Sequence, residues 1–96
     1  GGYTNSSVPE KYTLDQNYPN PFNPSTNLEF GIPEKEFVSL KVYNAAGMEV
    51  SELVNEVKQA GNYNVRFDGS NLSSGIYFYT IKSGDFESTK RMILLK

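Results

Sequence analysis

The groups able to do acid–base or nucleophilic chemistry in this 96-residue chain are eleven carboxylates, nine Lys and Arg side chains and scattered hydroxyls, with no cysteine or histidine. That composition excludes thiol nucleophiles, disulfide frameworks and Cys/His zinc sites. Asp15, Asp68 and Asp85 fall in turn contexts, where aspartate closes onto its own backbone, and not in the spacing of a paired acid and base. There is no Asp-x-Asp-x-Asp-Gly loop for calcium and no glycine-rich loop for phosphate. Ser73-Ser74-Gly75 offers hydroxyls but no imidazole to take a proton from them. The expectation is a chain that is not an enzyme, with no catalytic residue, no cofactor and no metal.

The chemistry must therefore lie in shape. A chain of this length forms one domain and buries roughly 60–70% of its unfolded surface. A net charge of −2 and a pI near 5.0 give no basic face for nucleic acid. No apolar run approaches the ~18 residues of a membrane-spanning helix. Thirteen aromatics, seven Tyr and six Phe, supply much of the core material.

The most distinctive segment is Leu14 to Thr26, in which Pro19, Pro21 and Pro24 alternate with Asn17, Asn20 and Asn23 around Tyr18 and Phe22. Each proline fixes φ, removes a donor and pushes the preceding residue toward extended backbone. Asn20-Pro21 and Asn23-Pro24 read as successive turns. A stiff lead-in results, anchored by Tyr18 and Phe22. Before it, residues 1–13 are polar and mixed and read as a linker tail, leaving 14–96 as the folded domain.

Beyond the lead-in, period-2 alternation dominates. Leu28, Phe30 and Ile32 share one face of a strand that Pro33 ends; Val38, Leu40 and Val42 share one face of the next. After the Asn44–Gly47 turn, Met48 to Val54 reads as a shorter strand, with a helical turn over Ser51 to Lys58 as the alternative. Gly61 restarts the alternation, with Tyr63, Val65 and Phe67 inward. Ile76 to Lys82 is apolar on both faces and reads as central; a Ser83-Gly84-Asp85 turn and a last strand from Phe86 to Leu95 follow. Nothing repeats internally. About seven short strands with turn signals every 8–12 residues predict an all-β chain, an immunoglobulin-like antiparallel β-sandwich with a proline-rich lead-in.

Leu72, a short polar bend, Gly75 and Tyr77 opening a central strand fit a tyrosine corner, whose hydroxyl reaches back to a main-chain group upstream. In that reading Leu72 plugs the core and Gly75 permits a tight approach; the alternative is an ordinary Gly/Ser turn. Tyr18, Phe37, Tyr43 and Phe78 are placed by parity where aromatics can be exposed, which leaves a carbohydrate-binding surface as a further alternative.

The ordered motifs resemble a known family, the type A C-terminal sorting domain of the type IX, or Por, secretion system. They comprise Leu14-x-Gln16-Asn17-Tyr18-Pro19-Asn20-Pro21-Phe22-Asn23-Pro24-x-Thr26, then Leu28, Phe30, Ile32 and Pro33, then Val38-x-Leu40-x-Val42-Tyr43-Asn44 up to Gly47. Ala60-Gly61, Asp68-Gly69, Leu72, Gly75-x-Tyr77, Gly84 and the closing run Lys90 to Lys96 complete them. Phe67 stands where the family often has tryptophan and Arg91 where lysine is frequent, changes that keep apolar character and charge.

The resemblance implies a folded secretion signal. Its partners would be an N-terminal passenger, the outer-membrane translocon and a sortase-like peptidase that cuts upstream of the domain, with no small-molecule substrate. The product would be exported, passing through the periplasm to the cell surface or extracellular space. By the same resemblance, Gly75, Tyr77, Gly84, Lys90, Leu94 and Lys96 fall on recognition motifs, and Lys96 is expected to be the natural chain end. The alternatives are a passive immunoglobulin-like spacer or a carbohydrate-binding module of a larger exported enzyme.

Overall fold

The computed structural model describes residues 8–96, and most of the expected linker tail lies outside them. The described chain folds as seven strands without a helix: β1 (Thr13–Leu14), β2 (Ser25–Ile32), β3 (Glu36–Asn44), β4 (Glu49–Lys58), β5 (Gly61–Asp68), β6 (Gly75–Ser83) and β7 (Phe86–Leu94). They form two antiparallel sheets, one ordered β1-β2-β5 and the other β4-β3-β6-β7. The fourth strand thus joins the sheet of the last two, and the predicted sandwich is the one observed.

Alternation builds the core. Leu28 and Ile32 from β2, Val38, Leu40 and Val42 from β3, Tyr79 and Ile81 from β6, and Met92 and Leu94 from β7 are fully buried. Burying each such side chain is worth about 1.5–3 kcal/mol against leaving it in water. The strand after the Asn44–Gly47 turn is longer than expected, because cross-strand pairing to β3 continues to Lys58 and removes the helical alternative. Two register shifts explain why its sequence alternates poorly, one opposite Leu40/Lys41 and one opposite Val42/Tyr43. Such bulges, with Glu49, Glu52 and Glu56 along it, blunt this sheet edge against pairing with another chain.

β7 is also an edge strand, and the lead-in lies along it in the same direction. Tyr12 stacks on Phe86 with ring centroids 5.3 Å apart. Gln16 Nε2 donates to the Arg91 carbonyl at 2.6 Å. Phe22 donates its N–H to Ile93 O and accepts from Leu95 N–H, at 2.9 and 3.0 Å. The outer edge is therefore covered from Arg91 to Leu95, while the outward main-chain groups of Glu87 and Thr89 have no partner among the described residues.

The sandwich has two unlike ends. At one, the β6–β7 turn meets Glu36 and Tyr12: a Cβ on Gly84 would sit 2.9 Å from Glu36 Oε2 and 3.1 Å from the Tyr12 hydroxyl. The chain arrives from its N-terminal side at this hairpin end. At the other, Pro24, Gly69, the Asn44–Gly47 turn and Lys96 gather, forming the terminal end.

Candidate functional site

The proline-rich segment is held by a buried polar knot. Asn17 Nδ2 donates to Thr26 Oγ1 at 3.0 Å and to Pro19 O at 3.1 Å, and Thr26 Oγ1 donates to Pro19 O at 2.8 Å. Both side chains are buried, so the bonds satisfy groups that would otherwise cost about 1–3 kcal/mol each. Tyr18 exchanges both main-chain bonds with Asn27 at 3.0 Å. Asn20 Oδ1 accepts the Ile93 N–H at 3.0 Å, and Pro24 O accepts from Gly69 N–H at 2.8 Å. The Tyr18-Pro19, Asn20-Pro21 and Asn23-Pro24 bonds are cis.

The two aromatics separate. Phe22, 1% exposed, packs edge-on to Phe67 and is the anchor its sequence suggested. Tyr18 is not an anchor: its side chain is 79% exposed. Pairing with Asn27 engages its main chain on the edge of the sheet, which leaves the ring pointing away from the core. Pro19, Asn20, Pro21, Asn23 and Pro24 are all exposed as well, so the motif holds the fold mainly through backbone groups and the Asn17, Asn20 and Phe22 side chains.

The tyrosine corner is present. Tyr77 Oη donates to Ser73 O at 2.7 Å, and Leu72 packs against the core beside it. The role expected of Gly75 is corrected. A Cβ there would meet nothing within 4 Å, so no close approach requires glycine; the φ of +156° does. A matching device went unrecognised at Tyr63, whose hydroxyl donates to Gln59 O at 2.7 Å with Gly61 two residues before it at φ +157°. The shared signal is Gly-x-Tyr, readable at residues 61–63 and 75–77.

The six residues carried over from the resemblance do not form one cluster. Gly75, Tyr77, Leu94 and Lys96 lie at the terminal end, and Gly84 at the hairpin end. Lys90 lies between them, half-buried on the inward side of β7 opposite Tyr79. Tyr77 and Leu94 are buried; Leu94 sits against Gly69, whose Cβ position is 3.2 Å from Leu94 Cδ2 and 3.3 Å from Phe22 Cε2. Lys96 is exposed but tethered, with its N–H on Ser74 Oγ at 2.9 Å and its Nζ on Ser70 O at 2.6 Å. That loop is itself closed by the Ser70 N–H on Asp68 Oδ1, a bond that holds the Asp68 carboxyl below its ordinary range. Between Asn44–Ala46 and Ser73–Tyr77 lies an open hollow of about 260 Å³.

Tyr79, fully buried, donates its hydroxyl to Asp15 O at 2.6 Å and ties the central strand to the lead-in. Burial first, and the Asp15 charge after it, push this phenol up to about 12 against the pull of a main-chain donor at Asn17. A second hollow, about 210 Å³, is lined by Thr13, Asp15, Glu29, Phe30, Asn62, Tyr63 and Asn64. Its one surface aromatic is committed, since Tyr63 stacks on Phe30 and carries Lys58 Nζ 5.1 Å from its ring centroid. Of the four aromatics expected at the surface, Tyr18 and Phe37 are exposed, whereas Tyr43 and Phe78 are half-buried on neighbouring strands. Among the described residues no group of three or more Asp and Glu is placed to hold a metal ion.

Comparison with curated proteins and with solved structures found no match. Against protein families, residues 16–95 match the Secretion system C-terminal sorting domain. The match begins in the lead-in and ends on the strand beside it, the two segments that close the sandwich, and the chain belongs to the C-terminal sorting domain family of the type IX secretion system.

Proposed function

We propose that this domain is recognised by the outer-membrane translocon of the type IX system and directs an N-terminal passenger through it, by way of the periplasm, to the cell surface. A sortase-like peptidase then cuts upstream, in or before residues 1–13. The domain itself is not an enzyme; it works as a shape. The observation that carries this reading is the family match over residues 16–95, which takes in both the proline-rich lead-in and the C-terminal strand. Burial divides the work among the six carried-over residues. In this reading the buried Tyr77 and Leu94 support the shape from inside, while the exposed Gly84 and Lys96 and the half-buried Gly75 and Lys90 are the ones open to a receptor.

The test fuses residues 1–96 to a fluorescent reporter bearing an inner-membrane export signal, in a host that has the secretion machinery. Surface fluorescence is expected, with loss on deleting Leu94 to Lys96. Because Leu94 is core, Lys96→Glu supplies a second variant whose fold is preserved. Delivery that survives both changes would rule out terminal recognition and leave the domain a spacer.

A further inference from the structure

We propose that the open stretch of β7 pairs antiparallel with the same stretch of a second copy, about a two-fold axis through Thr89, joining the four-stranded sheets of two molecules into one. Such pairing is independent of the sorting role proposed above.

The edge is both open and regular. Along β7 the N–H and C=O of every second residue point outward; the lead-in takes both of those on Ile93, and Gln16 takes only the carbonyl of Arg91. Left over are both groups of Glu87, both of Thr89 and the Arg91 N–H, none with a partner among the described residues. The Arg91 carbonyl keeps a second lone pair. β7 pairs with β6 throughout without a register shift, so these groups hold the spacing that an added strand needs. β1 does not obstruct them: it belongs to the other sheet, and Asp15 O meets the Tyr79 hydroxyl on the inner side.

Three observations select a second copy as the occupant. The first is charge. Glu87 and Arg91 are exposed, lie on the outer face four residues apart, and have no ion-pair partner among the described residues. A two-fold through Thr89 sets each Glu87 opposite the second copy's Arg91, giving two ion pairs that flank a Thr–Thr pair. The second is length. β7 begins at Phe86, after the Gly84-Asp85 turn, so in this register the incoming strand ends beside Met92, before the Asn20 and Phe22 contacts at Ile93. The third is direction. The chain arrives at the hairpin end, where Tyr12 stacks on Phe86, and antiparallel pairing points the two hairpin ends apart, so the N-terminal extensions leave on opposite sides. The other free edges lack this complementarity. β4 is bulged and would bring Glu49, Glu52 and Glu56 against acid, and β5 turned about Val65 sets Arg66 against Asn64. The pairing spans only Glu87 to Arg91, which places it in the weak, transient class of interfaces.

Sedimentation equilibrium of the purified 96-residue chain over a rising concentration series is the test. A monomer–dimer equilibrium is expected that weakens as salt is raised. Glu87→Arg and Arg91→Glu should each weaken dimerisation about tenfold or more, because each sets like charges together twice. The two changes combined should restore it. Both side chains are exposed, so the denaturant midpoints of all three variants should equal that of the parent chain. A chain that stays monomeric at every concentration, a dimer indifferent to either single reversal, or a double variant as weak as the singles would each overturn the pairing. Loss of the dimer together with a lowered midpoint would assign the effect to folding and overturn it as well. None of these outcomes bears on surface delivery, which the reporter fusion measures separately.

Discussion

Gln59–Tyr63 and Ser73–Tyr77 are the same device in two settings. Each has glycine two residues before a tyrosine whose hydroxyl donates to the carbonyl four residues back, at 2.7 Å in both. Each also stands where the chain changes sheets, from β4 to β5 and from β5 to β6. The surroundings differ. Tyr77 is 6% exposed under Leu72, whereas Tyr63 lies half in solvent between Phe30 and Lys58. Local sequence therefore sets the geometry of a corner, and burial sets what the corner is worth. The third type of crossing, from β2 to β3, uses Pro33 instead and has no tyrosine.

The comparison is most easily broken by removing the rings. Tyr77→Ala should cost about 3–5 kcal/mol in urea unfolding, the range for emptying a buried aromatic site, and Tyr63→Ala less than half of that. Equal losses would show that burial does not separate the two corners. Replacing the glycines isolates the backbone: Gly75→Ala and Gly61→Ala should each cost about 1–3 kcal/mol. Neither added Cβ meets an obstacle, the nearest atom being 3.8 Å away at Gly61, so the positive φ alone is charged and the losses should match.

Removing only the hydroxyls is gentler. Tyr77→Phe should lose about 1 kcal/mol and Tyr63→Phe about half as much, because water replaces the exposed bond more readily. The smallest effect concerns a third hydroxyl, that of Tyr79. Its pKa in the folded chain, near 12, lies above that of the unfolded chain, so the unfolded chain ionises first as pH rises. The associated stability is whole below about pH 10 and declines toward pH 12. Denaturant midpoints at pH 9 and 10.5 should fall slightly more for the parent chain than for Tyr79→Phe.

The sheets were legible because alternation is a strong signal where one face is buried. Val38, Leu40 and Val42 placed β3, and Tyr63, Val65 and Phe67 placed β5, by parity alone. β4 was shortened because two bulges break the period at Leu53 and Val50, and no local sequence cue marks which residue of a strand will be the extra one. The corner at Tyr77 was visible, and its twin was not, since Gln59-Ala60 lacks the leucine and polar bend that flagged the first. The anchor reading of Tyr18 failed for a different reason, although its placement by parity at the surface held. Its neighbours Pro19 and Pro21 announce rigidity, but rigidity of the main chain says nothing of which way the side chain turns. The docking of the lead-in on the last strand was illegible altogether, because it joins residues 16–22 to residues 91–95 across most of the length of the sequence.

β7 supplies Met92 and Leu94 to the middle of the core and gives Phe22 and Asn20 the strand they dock on. A polypeptide broken off before Met92 leaves that cavity unfilled and its opening segment without a seat, so no premature fragment acquires the finished form. For a C-terminal sorting domain the consequence is that its form depends on both distant stretches of the chain at once, the lead-in and the strand it docks on.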